Sequence, residues 1–217
     1  MAGIAVLAKP AVPGRVKTRL ARRVGPVEAA LFAEAFLLDT WSMLAELPTS
    51  HLLLASERGA AMPLLTPKAE LIVQGAGTLG ERLERVASHV LGRHQQVVLL
   101  GSDTPHLPAS YVYALLRDLQ HVDVVMGPAE DGGFWGLAMR RCPRDCLGGV
   151  EWSVESTGRQ TLEALARAGL SIGLGPVWYD IDEGDALDRM LAEARPDAVP
   201  ATRALARRLW EEHHGAQ

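Results

Sequence analysis

The sequence predicts a three-layer α/β fold built on a mainly parallel mixed sheet. Three observations carry that prediction. Short apolar runs of strand length alternate along the chain with longer amphipathic runs of helix length, the order that βαβ units require. The run V-V-L-L at 97–100 shows no apolar–polar alternation, as expected of a central strand covered on both faces. That run then breaks into G-S-D-T-P, which puts an aspartate at the carboxyl end of a strand, where open α/β sheets gather their chemistry.

Taken in order, residues 4–8 (I-A-V-L-A) predict a buried first strand. A loop from Lys9 to Leu20 follows, with Pro10, Pro13 and Gly14 set among the cations Lys9, Arg15, Lys17 and Arg19. Gly25-Pro26 opens a long helix, with proline at a permitted first-turn position, and Pro48 closes it. Short strands are expected at 52–55 and 71–73, and Leu79, Leu83, Val86 and Val90 share one face of a second helix. After the central strand come a helix from Pro108 to about Leu119, a strand at 122–126, the turn G-P-A-E-D-G-G at 127–133 and a strand at 134–139. These last two strands read as neighbours, the second antiparallel and near one edge of the sheet. Ser156 or Thr157 is expected to cap a helix reaching Arg167, with Gly169 as its stop. A final strand spans Leu170 to Tyr179 and ends in D-I-D at 180–182; helices from about Asp185 and Ala201 finish the chain.

Composition narrows the function. At 217 residues, 48% hydrophobic and 22% charged, the chain suits one soluble globular domain over 1–217, without repeats, low-complexity tracts or a linker. A net charge of −4 argues against a nucleic-acid partner, and no run has the length of a membrane span. The two cysteines, Cys142 and Cys146, form C-P-R-D-C, not C-x-x-C, and no second pair completes a structural zinc site. Reduced thiols are the expectation. M-A-G-I-A-V-L-A-K-P lacks a basic leader region and reads as a strand rather than a signal peptide, so a cytoplasmic location is expected.

Two constellations bear on chemistry. The first loop is basic, contains glycine and directly follows a strand, as a phosphate site would. It holds neither G-x-x-x-x-G-K-[ST] nor G-x-G-x-x-G, and a solvated basic loop is the plain alternative. The second constellation is a set of aspartates, Asp103, Asp131, Asp180 and Asp182, each adjoining an apolar strand. Asp180 and Asp182 would project to one side of an extended segment. Mg²⁺ or Mn²⁺ takes one or two carboxylates plus substrate phosphates, so such a set suits a divalent cation. Helix capping is the competing role for Asp103 and Asp182, and turn formation for Asp131 in D-G-G. Gly132 and Gly133 permit close approach or positive φ. Trp135 and Trp152 offer flat faces to a sugar or base, unless they belong to the core. The histidines show no metal-ligand spacing, and no G-x-S-x-G elbow occurs.

The motifs K-P-A-V-P-G-R-V-K-T-R-L, Q-G-A-G-T-L-G-E-R-L, L-L-G-S-D-T-P-H-L-P, G-P-A-E-D-G-G-F-W-G-L, W-S-V and D-I-D occur in this order. In that order they resemble a bacterial glycosyltransferase-like family linked to radical-SAM enzymes and arsenosugar biosynthesis. The family is similar to the GT-A nucleotide-diphospho-sugar transferases, a superfamily that also houses nucleotidyltransferases. The resemblance implies that Lys9, Gly14, Lys17, Arg19 and Ser102 line a nucleotide and diphosphate site. It implies metal ligation by Asp103 and Asp182. It places Asp131, Gly132, Gly133, Trp135, Trp152 and Ser153 toward an acceptor or the transferred sugar, with Asp131 as candidate base. One departure stands out: relatives read D-x-D-T-x-x-D-L, whereas here D-I-D is followed by E-G-D-A-L, with Glu183 and Ala186 at the changed positions. That change bears on the cap of the following helix. The expected function is a Mg²⁺- or Mn²⁺-dependent transfer from a nucleotide sugar to a small-molecule acceptor. A nucleotidyltransferase that releases pyrophosphate is the runner-up, and a non-catalytic nucleotide-binding module the third reading.

Overall fold

The computed structural model describes residues 2–47, 50–57 and 69–214. The first apolar run forms β1 (Ala2–Leu7), in which Ile4 and Val6 join one hydrophobic cluster and Ala5 the opposite one. Neither face is left to solvent, which is why the run lacks polar alternation. The basic loop and a short α1 (Ala21–Val24) lead to α2 (Pro26–Ala45), which starts on Pro26 as the Gly-Pro pair predicts. It ends at Ala45; Pro48, expected to close it, lies outside the described residues.

Next come β2 (Ser50–Ser56), β3 (Glu70–Val73) and α3 (Leu79–Leu91). A reciprocal cap opens α3: Glu81 N–H donates to Thr78 Oγ1 (3.3 Å) while Thr78 N–H donates to the Glu81 carboxylate (2.7 Å). The central run is β4 (Gln96–Gly101), followed by α4 (Ala109–Asp118), β5 (Val124–Pro128) and β6 (Phe134–Met139). The chain closes with α5 (Thr157–Arg167), β7 (Ile172–Leu174), α6 (Gly184–Glu193) and α7 (Pro200–His214). No helix among the described residues is long and apolar enough to cross a membrane.

The seven strands form one sheet in the order β3-β2-β1-β4-β6-β5-β7. All neighbours are parallel except β6, which is antiparallel to both β4 and β5. The fold is therefore the predicted three-layer α/β architecture. Two details differ from expectation. First, β6 is adjacent to β5 and antiparallel as predicted, but it sits between β5 and β4 instead of near an edge. The tight turn before it returns the chain beside β5. Gly136 admits the close approach to β4, since a Cβ there would come 2.9 Å from Leu100. Second, the long strand expected at 170–179 pairs regularly only over Ile172–Leu174. Gly175 and Pro176 interrupt it, Pro176 having no N–H for a ladder. Pairing resumes at Trp178, whose N–H donates to the Pro128 carbonyl (3.1 Å).

Layering follows from the clusters. Leu37, Trp41 and Leu44 of α2 and Val112 and Leu115 of α4 cover one face of the sheet. Leu83, Val86 and Val90 of α3 and Leu165 of α5 cover the other. A third cluster joins Phe32 and Phe36 of α2 to Leu187 and Met190 of α6 and Leu205 of α7. The buried Asp39 fixes α7 to α2. Its carboxylate accepts the backbone N–H groups of Ala201 and Thr202 (both 2.9 Å) and the Thr202 hydroxyl (2.6 Å). Asp39→Ala leaves these donors unpaired and should cost about 2–3 kcal/mol. The check is a lower urea midpoint with an unchanged m-value.

His106 is buried with its ring 4.3 Å from that of Tyr179 and 5.1 Å from that of Trp178. Burial, helped by the charge of Arg189, pushes its pKa down to about 4. Folded His106 thus resists protonation: its share of stability is full above the ordinary value of 6.5 and is lost as pH falls from there through about 4. His106→Phe should flatten this dependence, read as urea midpoints compared between about pH 7 and pH 4.5.

Candidate functional site

The parallel register of β1 with β2 and β4 brings their carboxyl ends to one rim, where a cleft of about 920 Å³ opens. Three segments supply its charged groups. The first loop leaves β1 and is anchored by buried Val16 and Leu20. Gly14 (φ +77°) turns its tip, and Arg15 pairs with Glu57 at 3.6 Å. Asp103 stands just beyond β4. The third segment, Asp180-Ile181-Asp182, is held by Ile181, which is fully buried and whose N–H donates to the Asp103 carbonyl (2.9 Å). With Ile181 turned to the core, Asp180 and Asp182 both face the cleft, as the two-residue spacing predicts.

Lys17 joins the three segments. Its ammonium lies 2.6 Å from Asp103 Oδ1 and 2.9 Å from Asp182 Oδ1, with Nζ 5.5 Å from the centre of the Phe36 ring. The Lys17 side chain is only 5% exposed, while those of Asp103 and Asp182 are 50% and 41% exposed. Burial alone would push Lys17 down, but the two carboxylates outweigh it and hold the ammonium above its ordinary value. Burial likewise works against an ionised Asp182, and Lys17 with Arg19 overcomes it, leaving that carboxyl below the usual range. Asp180 goes the other way: burial, then the charges of Asp182 and Asp131, push it up to about 6.

The opposite wall is the β5–β6 turn and the loop before α5. Asp131 is exposed and its Oδ1 accepts the Gly133 N–H (2.9 Å), so the turn role and a place on the cleft coexist. Gly132 (φ +86°) and Gly158 let the start of α5 and the loop before it dock closely: Gly158 N–H donates to the Gly132 carbonyl (2.8 Å). Trp152 stands on this wall with its ring edge-on to Phe134 (6.2 Å) and against Gly80, beside Ser153 (φ +65°).

Most of the sequence-derived candidates therefore converge. Lys9, Lys17, Arg19, Ser102, Asp103, Asp131, Gly133, Trp135, Trp152, Ser153 and Asp182 line the cleft. Gly14 and Gly132 are not among the lining residues and act through backbone shape, both at positive φ. Trp135 is not a free stacking face: it is 4% exposed, fills the space beside Gly127, and donates its indole N–H to the Pro176 carbonyl (2.9 Å). Its place on a strand covered on both faces explains this. Among the lining residues without a sequence-based role are Arg82 and the buried Gln74. Gln74 donates to the carbonyls of Ala55 (2.7 Å) and Ala8 (3.3 Å), and so ties β1 and β2 beneath the cleft. Both belong to Q-G-A-G-T-L-G-E-R-L, a motif that carried the signal without a role. Glu183 provides no side-chain cap to α6, in line with the departure noted at that position.

A profile for the family described as "uncharacterized protein conserved in bacteria (DUF2064)" matches residues 43–154, just over half of the chain. The chain belongs to that family. No curated protein matches the sequence. Among solved structures, this DUF2064 member is similar to a candidate nucleotide-diphospho-sugar transferase from Desulfovibrio desulfuricans G20. The two share 32% identity over 95% of this chain and 94% of that one, with a TM-score of 0.84. A CMP:2-keto-3-deoxy-manno-octonic acid synthetase solved with CTP shares the fold at 13% identity, covering 88% and 97% of the two chains (TM-score 0.56). Rv0371c of Mycobacterium tuberculosis H37Rv, solved with manganese, does so at 16% identity over 89% and 98% (TM-score 0.52).

The DUF2064 cleft depends on the close contact behind its β5–β6 turn. A Cβ on Gly132 would lie 2.0 Å from the Glu155 carbonyl oxygen, and φ there is +86°. Gly132→Ala should cost roughly 2–4 kcal/mol through strain and overpacking. Limited proteolysis should show the α5 loop cut faster than in the unaltered protein.

Proposed function

We propose that this chain is a divalent-metal-dependent transferase that uses a nucleotide-diphospho-sugar donor and a small-molecule acceptor. The observation that carries the reading is the meeting of Asp103 and Asp182 around Lys17 at the rim of the sheet, with a basic loop on one wall and Asp131 on the other. The carboxylates suit a hard cation: each is about half exposed to the cleft, and Asp180 adds acidic charge alongside. Among the described residues no three His, Cys, Asp or Glu side chains are already gathered for a metal. Substrate oxygens would complete the coordination, as Mg²⁺ sites commonly require. The manganese in Rv0371c, on the same fold, supports this choice of ion. When bound, such a cation would act as Lewis acid and template for the diphosphate.

The chain's own residues do the rest. Lys9 and Arg19 make no ion pair among the described residues and face the cleft, ready to bind and orient the phosphate oxygens. Asp131 faces the same space from the turn wall and would receive the proton of the acceptor hydroxyl. Trp152 would offer its face to the sugar, with Ser153 beside it. Trp135 is withdrawn from that role by its burial. The one sheet with its contiguous clusters is consistent with a single domain over 1–217. The CTP bound by the synthetase on this fold favours nucleotidyl transfer as the second reading.

A thermal-shift panel of nucleoside triphosphates, nucleoside diphosphates and nucleotide sugars, run with Mn²⁺, Mg²⁺ or EDTA, separates the readings. Stabilisation by one nucleotide sugar and its diphosphate, only with metal, supports glycosyl transfer. A response to a triphosphate alone moves the assignment to nucleotidyl transfer. Asp103→Asn should abolish the metal-dependent shift and lower turnover roughly a hundredfold or more, with folding preserved. Wild-type turnover in Asp103→Asn would sink the assignment.

A further inference from the structure

The lysine at the centre of the cleft occupies the ground that a metal would need. We propose that Lys17 is a displaceable internal counterion, which closes Asp103 and Asp182 against divalent cations until a phosphate chain draws its ammonium away. The inference rests on the reading of those carboxylates as metal ligands, and it adds an exchange step that couples metal to nucleotide.

Four observations carry it. Nζ of Lys17 holds one oxygen of each carboxylate, at 2.6 and 2.9 Å. A divalent cation binds carboxylate oxygens at about 2.0–2.6 Å, so one seated on either carboxylate would stand close beside the ammonium, and their like charges repel at such range. Next, the ammonium is nearly excluded from solvent at 5% exposure whereas its partners are about half exposed. An incoming cation thus has access to the carboxylates, but the ammonium in their midst stands against it. Third, the backbone of Lys17 is pinned: φ is +46°, its carbonyl accepts the Ala21 N–H (2.8 Å), and Val16 and Leu20 on either side are buried. A lysine is held in this left-handed conformation only when its surroundings dictate it. The exchange must therefore be a swing of the side chain, with the loop in place. Finally, Lys17 lines the same cleft as Lys9 and Arg19, so phosphate oxygens arriving there give the ammonium a replacement partner. Metal and nucleotide then favour each other's binding, a coupling that must be reciprocal.

The test needs neither nucleotide nor acceptor. Mn²⁺ binding is read from the loss of the free aquo-ion signal in electron paramagnetic resonance, on the full chain. Lys17→Gln and Lys17→Met should bind Mn²⁺ roughly tenfold more tightly than the unaltered protein, because no resident cation has to be displaced. Arg19→Gln removes the same charge from the same cleft without touching the carboxylates' inner oxygens, and should change Mn²⁺ affinity by only about twofold. Adding Asp103→Asn to Lys17→Gln should cancel the gain. Should the Lys17 variants prove unstable without metal, Mn²⁺ should raise their melting temperatures far more than that of the unaltered protein. Equal Mn²⁺ affinity in Lys17→Gln and the unaltered chain overturns the proposal, as does an equal gain in Arg19→Gln or a variant that Mn²⁺ fails to stabilise. Silence of the unaltered protein in the nucleotide panel would instead count against the transferase reading.

Discussion

The ammonium of Lys17, held between Asp103 and Asp182, is the interaction on which the rim of this molecule depends. It links the loop after β1, the end of β4 and the segment leading into α6. Two of these lie 165 positions apart in the chain. A lysine so enclosed would be costly alone, and the two carboxylates make it tolerable by keeping their outer sides in water. The register beneath it is fixed by hydrogen bonds: Gln74 ties β1 to β2, and the Ile181 N–H meets the Asp103 carbonyl. The geometry of the charges is thus a product of sheet pairing.

Electrostatics divides the site unequally. Asp182 and Asp180 flank the same buried isoleucine, yet one sits below the usual carboxylate range and the other is pushed up to about 6. Burial weighs on both, but Asp182 accepts the Lys17 ammonium directly, whereas on Asp180 the weaker pull of Lys17 is outweighed by burial and the charges of Asp182 and Asp131. The result is a cleft with one wall rich in fixed cations and a floor with more acid than its resident cation neutralises.

Much of the fold was legible because its signals are local. Unalternating strands, the Gly-Pro entry to α2 and the D-G-G turn each state a backbone requirement within a few residues. The convergence of the candidate residues was legible, since aspartates after strands collect at one rim in any parallel sheet. What stayed hidden was pairing at a distance. Nothing local says that Lys17 spends its charge on two aspartates, because their approach depends on strand order. Trp135 reads from sequence as either an available face or a core residue, and the placement of β6 inside the sheet decides for the core. The break at Gly175-Pro176 was written in the sequence, but the apolar residues around it masked the missing N–H.

The reversed direction of β6 has an evolutionary side. A β-hairpin turn can lengthen or shorten without moving its flanking helices, because hairpins absorb insertions at the tip. Here that turn opens on the rim, across the cleft from the loop and strand end that carry Lys17 and Asp103. This tip has no such freedom, because Gly158 N–H donates to the Gly132 carbonyl and Glu155 packs against Gly132, so descendants that lengthened the turn would unseat the start of α5 and shift Asp131.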